Sequence, residues 1–243
     1  MGRHQRALRA LARQLAYQQR KADSIRGNER DTVLAMMHSS ARVRAILKSV
    51  QPIDVDARVL EVGSGAQGLI FFFGNERAVG VDPLAQSYAR LFPEWQREVR
   101  TVAAFGESLP FTDSSFDIVL CDNVVDHAES PRDILAEIAR VLKPAGLLYF
   151  TVHTHHPIYS LAAHLHAAWS DLGVRFEVGP FADHTVHLTL HQAQGLFRGL
   201  PYQILQETND IAAAKLAAKR DGDILKRFFF KNTLYQVVAR RMG

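Results

Sequence analysis

A short apolar run that stops at three glycines constrains the fold of this chain more than any other feature. The run covers residues 59–62, and Gly63, Gly65 and Gly68 follow it directly. We interpret it as a buried strand that ends in a turn, because glycine permits positive φ angles and leaves room where a Cβ would collide. The pattern predicts that a nucleotide-sized group packs on this turn before the next helix begins.

A second apolar run, residues 78–81, ends at a carboxylate, Asp82. In a βαβ unit an acidic residue at this place faces the ribose of a bound nucleotide. The glycine spacing alone leaves open whether that nucleotide is nicotinamide or another adenosine-containing cofactor, since dinucleotide-binding proteins share the spacing. Together the two strand ends predict one adenosine site.

Strand-like and helix-like patterns alternate along most of the chain. The predicted strands are 59–62, 78–82, 99–104, 115–122, 147–152, 202–207 and 228–239, and the predicted helices between them are 84–92, 131–143, 190–198 and 211–219. Such alternation is typical of a parallel sheet with helices on both faces. We therefore predict a doubly wound, Rossmann-like α/β fold with seven mostly parallel strands.

The first 50 residues differ in charge from the rest of the chain. They contain 11 Lys and Arg against 3 Asp and Glu, whereas the remaining residues contain 18 and 22. Their apolar residues recur at helical spacing, which predicts one amphipathic helix near residues 8–20 and another over 31–49 that cap one rim of the ligand crevice. The positive charge indicates either a solvated helix face or a weak contact with an anionic membrane or nucleic acid. We divide the chain into a basic helical segment, 1–50, and a main domain, 51–243.

The composition excludes several classes of protein. A single cysteine, Cys121, forbids an intrachain disulfide, and no apolar run is long enough for a transmembrane segment. The arginine-rich start lacks the apolar core of a secretion signal, so the expected location is the cytoplasm.

Four segments in order resemble the motif set of class I S-adenosylmethionine-dependent methyltransferases. They are residues 61–65, 81–82, 107–117 and 140–146. The sequence is most similar to the broad subgroup that includes the ubiquinone and menaquinone biosynthesis methyltransferases, over about residues 57–152. The resemblance implies an enzyme with S-adenosylmethionine as its cofactor, and a chain that closes with an antiparallel strand pair. It also implies that residues 153–200 are an insertion that forms the acceptor pocket.

The same resemblance implies which residues hold the cofactor. Glu61 and the glycine turn would bracket its methionine part, and Asp82 would accept hydrogen bonds from both ribose hydroxyls, a charge-assisted pair that a carboxylate can form. Phe105 and Leu84 would flank the adenine. The full predicted set is Glu61, Gly63, Ser64, Gly65, Asp82, Pro83, Leu84, Gly106, Glu107, Asp122 and Asn123.

Histidines supply the candidates for the acceptor side. His127, which follows the fourth strand, is the predicted catalytic base, because imidazole titrates near neutral pH; a helix-capping role is the alternative. A predicted polar acceptor pocket contains His153, His155, His184 and His187. No metal is expected there, since the histidine spacing matches no closed zinc pattern and no cysteine is available as a further ligand.

These observations predict methyl transfer to a small-molecule or lipid-like acceptor, with oxygen preferred because a histidine base suits a hydroxyl group. Three alternatives stay open: an NAD-dependent oxidoreductase, a non-catalytic binding protein of the same fold, and a nucleic-acid-directed methyltransferase that uses the basic segment. Glu61 ahead of the glycines and the block from Leu109 to Gly146 argue against the oxidoreductase. Deletion of residues 1–30 is expected to leave cofactor affinity intact.

Overall fold

Seven strands form a single sheet in the computed structural model, which describes residues 3–97, 99–159, 186–222, 230 and 232–243, with side chains from residue 11 onward. The strands are β1 (Val59–Val62), β2 (Ala78–Val81), β3 (Arg100–Val102), β4 (Phe116–Asp122), β5 (Leu142–Thr154), β6 (Tyr202–Asn209) and β7 (Thr233–Arg241). Their spatial order is β3-β2-β1-β4-β5-β7-β6. The predicted seven-stranded α/β sheet is confirmed.

Strands β1 to β5 are parallel, and β7 runs antiparallel between β5 and β6. All four residues of the central strand β1 are buried, as expected of a strand in a parallel sheet that helices cover on both faces. In register, Leu60 lies between Val79 of β2 and Val119 of β4. Because parallel neighbours end at the same edge, the turns that follow β1, β2 and β4 meet there.

The starts of two strands, β5 and β7, differ by five residues from the sequence prediction, and the other strand ends differ by two residues or fewer. β5 begins at Leu142, five residues earlier than expected, because Leu142 already pairs with Phe116 before the pairing shifts and resumes at Leu147. β7 begins at Thr233, and the predicted start of that strand at 228 lies outside the described residues.

The described helices cover both faces of the sheet. They are α1 (Arg3–Ile25), α2 (Arg30–Val50), α3 (Ala85–Leu91), α4 (Pro93–Gln96), α5 (Pro131–Val141), α6 (Leu190–Gly195) and α7 (Ile211–Arg220). Short 3-10 turns occupy Leu69–Phe72 and Val125–His127. Local sequence explains several ends: α5 begins with proline, whose missing N–H costs nothing there, and Thr189 and Gln192 form a reciprocal capping box at α6.

One hydrophobic core lies on each face of the sheet. On one face, α5 contributes Leu135 and Ile138, both fully buried against the sheet. On the other, α2 contributes Val43 and Leu47 to a core that also contains Trp95. The α2 part of the basic segment is therefore integral to the packing of the sheet. In the part of the chain that the structure describes, no helix has the length and apolar character required to cross a lipid bilayer.

Candidate active site

The glycine turn after β1 is held against the end of β2. The backbone N–H groups of Gly63 and Ser64 both donate to the carbonyl oxygen of Val81, at 2.7 and 3.0 Å. Gly63 has φ +71°, and a Cβ at this position would collide with the side chain of Val124. Only glycine satisfies both requirements without strain, so the turn is built for a close approach of backbone.

Glu61 supports this turn from beneath. Its carboxylate oxygens accept hydrogen bonds from the backbone N–H groups of Leu69 and Ile70, at 3.0 and 2.8 Å. These N–H groups open the 3-10 turn and have no partner within it, so the carboxylate caps them. A Cβ on Gly68 would collide with Glu61, which explains why the third glycine stands at this position. Complete burial raises the pKa of Glu61 to about 8.

Asp82 presents its carboxylate at the end of β2. Oδ1 accepts a hydrogen bond from the N–H of Leu84 at 2.7 Å, and Oδ2 accepts one from the N–H of Gly65 at 3.0 Å. Two backbone donors thus fix its orientation. Burial raises the pKa of this carboxyl above its ordinary value. Each oxygen retains acceptor capacity, which suits a ligand that offers two neighbouring hydroxyl groups, as ribose does.

A cavity of about 710 Å³ opens above this edge of the sheet. Nine of the residues predicted for the cofactor or for catalysis line it: Gly63, Gly65, Asp82, Pro83, Leu84, Gly106, Glu107, Asn123 and His127. Three predicted cofactor residues lie outside its lining. Glu61 points beneath the turn, the Ser64 hydroxyl packs against Gly80, and Asp122 accepts a hydrogen bond from the Thr151 hydroxyl.

The loop after β3 borders the same cavity. Phe105 keeps 48% of its surface exposed there, although it is a large apolar side chain, and Gly106 follows it. Glu107 bends toward α5, where its carboxylate accepts from the N–H groups of Glu129 and Ser130 at 3.0 and 3.4 Å. A carboxylate is favourable at that helix end because of the partial positive charge of the helix dipole.

His127 ends the short turn that follows β4, and its side chain is 44% exposed. Its Nε2 lies 3.8 Å from Oδ1 of Asp126, a carboxylate that is itself buried. Imidazole commonly serves as a proton acceptor near neutral pH, which is the chemistry that the sequence predicts for His127. His127 lines the same cavity as Asp82.

Three of the other predicted histidines, His153, His155 and His187, lie near the end of β5. The N–H of His153 donates to the side-chain oxygen of Asn123 at 3.3 Å. His155 and His187 are both buried and have ring centroids 5.2 Å apart, with Tyr159 stacked on His155 at 4.9 Å. His153, His155 and His187 do not line the cavity, and the fourth predicted histidine, His184, lies outside the described residues. Among the residues that are described, no group of three or more His, Cys, Asp or Glu is placed to hold a metal ion.

Helix α1 also lines the cavity, with residues that the sequence analysis did not assign to the site. They are Leu11, Arg13, Gln14, Ala16, Tyr17 and Arg20. The sequence predicted an amphipathic helix at the rim of the crevice, but its pattern could not reveal which side chains enter the crevice, since that depends on how the helix docks. This placement argues against the expectation that deletion of residues 1–30 leaves cofactor affinity intact.

Comparisons with known proteins agree with this geometry. Residues 60–150 match the family model described as a methyltransferase domain, Methyltransf_11. Thiol S-methyltransferase TMT1B of Rattus norvegicus is 46% identical over 59 residues, which cover 24% of each chain. Malonyl-[acyl-carrier protein] O-methyltransferase of Halorhodospira halophila is 29% identical over 145 residues, 57% of this chain and 48% of that one.

The fold is also similar to that of solved structures. The crystal structure of YcgJ from Bacillus subtilis has a TM-score of 0.57 at 23% identity, and the match covers 85% of this chain and 99% of that chain. By contrast, the chain spans only about a quarter to a half of the length of the two enzymes named above. Residues 60–150 thus match a methyltransferase domain, and the ordered motifs and the sheet order of this chain resemble those of the class I S-adenosylmethionine-dependent methyltransferases.

Proposed function

We propose that this protein transfers the methyl group of S-adenosylmethionine to a hydroxyl oxygen of a small-molecule or lipid-like acceptor. The observation that carries the proposal is the single cavity that Asp82, the glycine turn and His127 share. One end of such a cavity can hold a nucleoside while the other holds an acceptor beside a base.

The sheet edge provides the groups that would hold the cofactor. The Asp82 carboxylate would accept both ribose hydroxyls, and the backbone of Gly63 and Gly65 would lie along the methionine part. Leu84 and Phe105 would pack against the adenine, which accounts for the exposed phenylalanine at this site. When bound, the cofactor supplies a methyl group activated by a sulfonium. The residues fit this group because the carboxylate is held by two backbone donors before any ligand arrives.

His127 would remove the proton that the acceptor hydroxyl loses as the new bond to carbon forms. A base contributes to such a step only if it lies within hydrogen-bonding reach of the nucleophile, and positioning of the acceptor in line with the methyl group supplies much of the remaining rate. One relative acts on thiols, which lose their proton far more readily than alcohols do. A base in the cavity therefore favours oxygen as the acceptor atom.

Apolar side chains support a small or lipid-like acceptor. The cavity lining includes Leu11, Tyr17, Val124, Ala128 and Ile134, a surface suited to an aromatic or aliphatic body.

Two cations near the start of the chain have an internal role, which weakens the case for a polyanion partner. Arg44 donates to the carbonyl oxygens of Phe73 and Gly74, and Lys21 donates to Gln67. We propose that these cations serve the fold and the cavity, and that any contact with anionic membrane or nucleic acid is weak.

The test is transfer of a labelled methyl group from S-adenosylmethionine to a panel of phenolic, sugar and lipid-like alcohols, with matched thiols beside them. We expect labelled ethers from at least one alcohol class and a strong loss of turnover in His127→Asn. Transfer to thiols alone would contradict the choice of oxygen. Thermal stabilisation by NAD but not by S-adenosylmethionine would contradict the whole proposal.

A further inference from the structure

We propose that Arg20 of α1 binds the amino-acid carboxylate of the cofactor, so that this helix is part of the cofactor site. The inference rests on the proposed function and assigns a binding residue outside the segments that carry the methyltransferase motifs. It starts from the position of α1 relative to the two strand ends.

Two side-chain contacts fix α1 along the cavity. The side chain of Gln14 lies beside that of Tyr88, whose pKa is raised by burial and by the nearby Asp82 carboxylate. Seven residues further on, Lys21 donates to the side-chain oxygen of Gln67, which belongs to the glycine turn. The helix therefore runs from the neighbourhood of Asp82 to the turn, about 10 Å at 1.5 Å per residue.

The cofactor would run in the same direction. Its ribose belongs at Asp82, and its amino-acid part extends toward the glycine turn. Tyr17 and Arg20 stand three residues apart between the two contacts, so they lie on one side of the helix, and both line the cavity together with Gly63 and Gly65. The end of the cofactor that carries a carboxylate thus comes to the part of α1 that contains Arg20.

Arg20 is suited to this role by its charge state and by its lack of other partners. Among the described residues it forms no hydrogen bond or ion pair, whereas Arg13, the other arginine in the cavity, already takes part in an interaction. Lys21 is less suited, because burial lowers its pKa and it does not line the cavity. A guanidinium stays charged and can hold a carboxylate through two parallel hydrogen bonds.

Two ligands that differ in one part test the assignment. S-adenosylhomocysteine contains the amino-acid carboxylate, and 5′-methylthioadenosine lacks it but keeps the adenosine and the sulfur. Isothermal titration of the full chain should show that Arg20→Ala weakens S-adenosylhomocysteine roughly tenfold and leaves 5′-methylthioadenosine within twofold. Arg26→Ala is the matched control, since Arg26 lies just after α1 and pairs with Asp23 at the surface.

The other outcomes overturn the inference. If Arg20→Ala weakens both ligands equally, Arg20 acts on the adenosine or on the fold. If both affinities stay unchanged while the KM of a carboxylate-bearing acceptor rises and that of its methyl ester does not, Arg20 binds the acceptor instead. Failure of the unaltered protein to bind S-adenosylhomocysteine at all would contradict the proposed function itself, which separates the two failures.

Discussion

The floor and the cover of the cavity are built in different ways. The floor consists of the ends of β1, β2 and β4, where backbone groups fix each functional atom: two N–H groups hold the Asp82 carboxylate, and the Val81 carbonyl holds the glycine turn. The cover is α1, whose contribution consists of side chains such as Tyr17 and Arg20. The floor is therefore held by backbone hydrogen bonds between strand ends, whereas the cover depends on docking of a distant segment.

The largest loss of cofactor affinity is expected from a substitution in the floor. Asp82→Asn should weaken S-adenosylhomocysteine on the order of 100-fold, because two charge-assisted hydrogen bonds to ribose become weaker or unfavourable. Titration calorimetry measures this loss, and Asp56→Asn is the control at an exposed acid outside the cavity. An unchanged affinity would show that the nucleoside does not lie at Asp82.

A second effect of similar size is expected on the rate of methyl transfer but not on cofactor affinity. His127→Asn should lower kcat on the order of 100-fold, as expected for loss of a general base, and leave the affinity for S-adenosylhomocysteine within about twofold. Single-turnover methyl transfer measures the chemical step. His38→Asn, at an exposed position of α2, is the control, and a result in which binding falls but kcat does not would remove His127 from the acceptor side.

Glu61, which supports the glycine turn from beneath, should affect how the stability of the protein depends on pH. Burial raises the pKa of Glu61 from its ordinary value of 4.5 to about 8. Between pH 4.5 and pH 8 the folded state therefore keeps a proton on Glu61 that the unfolded state has lost. The free energy of unfolding should therefore fall as pH rises through this window, by on the order of 1 kcal/mol per pH unit at its steepest. Urea unfolding at pH 5 to 8 measures the slope, and it should flatten in Glu61→Gln. An equal slope in both proteins would assign it to another group.

The smallest effect is expected at the contact between cover and floor. Lys21→Ala removes the hydrogen bond to Gln67 and should weaken S-adenosylhomocysteine only about threefold, since a part-exposed contact contributes about 1 kcal/mol or less. Lys48→Ala, an exposed position on α2, is the control for the loss of one positive charge. A loss as large as that of Asp82→Asn would mean that the cover contributes as much as the floor.

The difference between floor and cover also explains what could be predicted from the sequence. The glycine turn and Asp82 were predictable because each depends on a few neighbouring residues and on the period of a buried strand. The direction of Glu61 was not, although a signal existed: the glycine at 68 leaves space for its carboxylate. Successive residues of a strand point to opposite faces of the sheet. Val62 of β1 lines the cavity, so its neighbour Glu61 points to the opposite face.

The contribution of α1 could not be predicted in the same way. Its amphipathic pattern established a helix, but contacts such as that between Lys21 and Gln67 join residues 46 positions apart. Likewise the pairing of His155 with His187 arises only when the chain returns to the end of β5, where the N–H of His155 donates to the carbonyl of Leu188. Long-range placement of this kind leaves no local signature.

The clamped carboxylate at the end of β2 has a consequence for regulation by acidity. Because burial makes Asp82 hold a proton more readily than a free aspartate, and because sugar hydroxyls donate to its ionised form, a proton and the nucleoside compete for the same oxygens. Through Asp82, acidification would then act like a competitive inhibitor and raise the cofactor concentration needed for half-saturation.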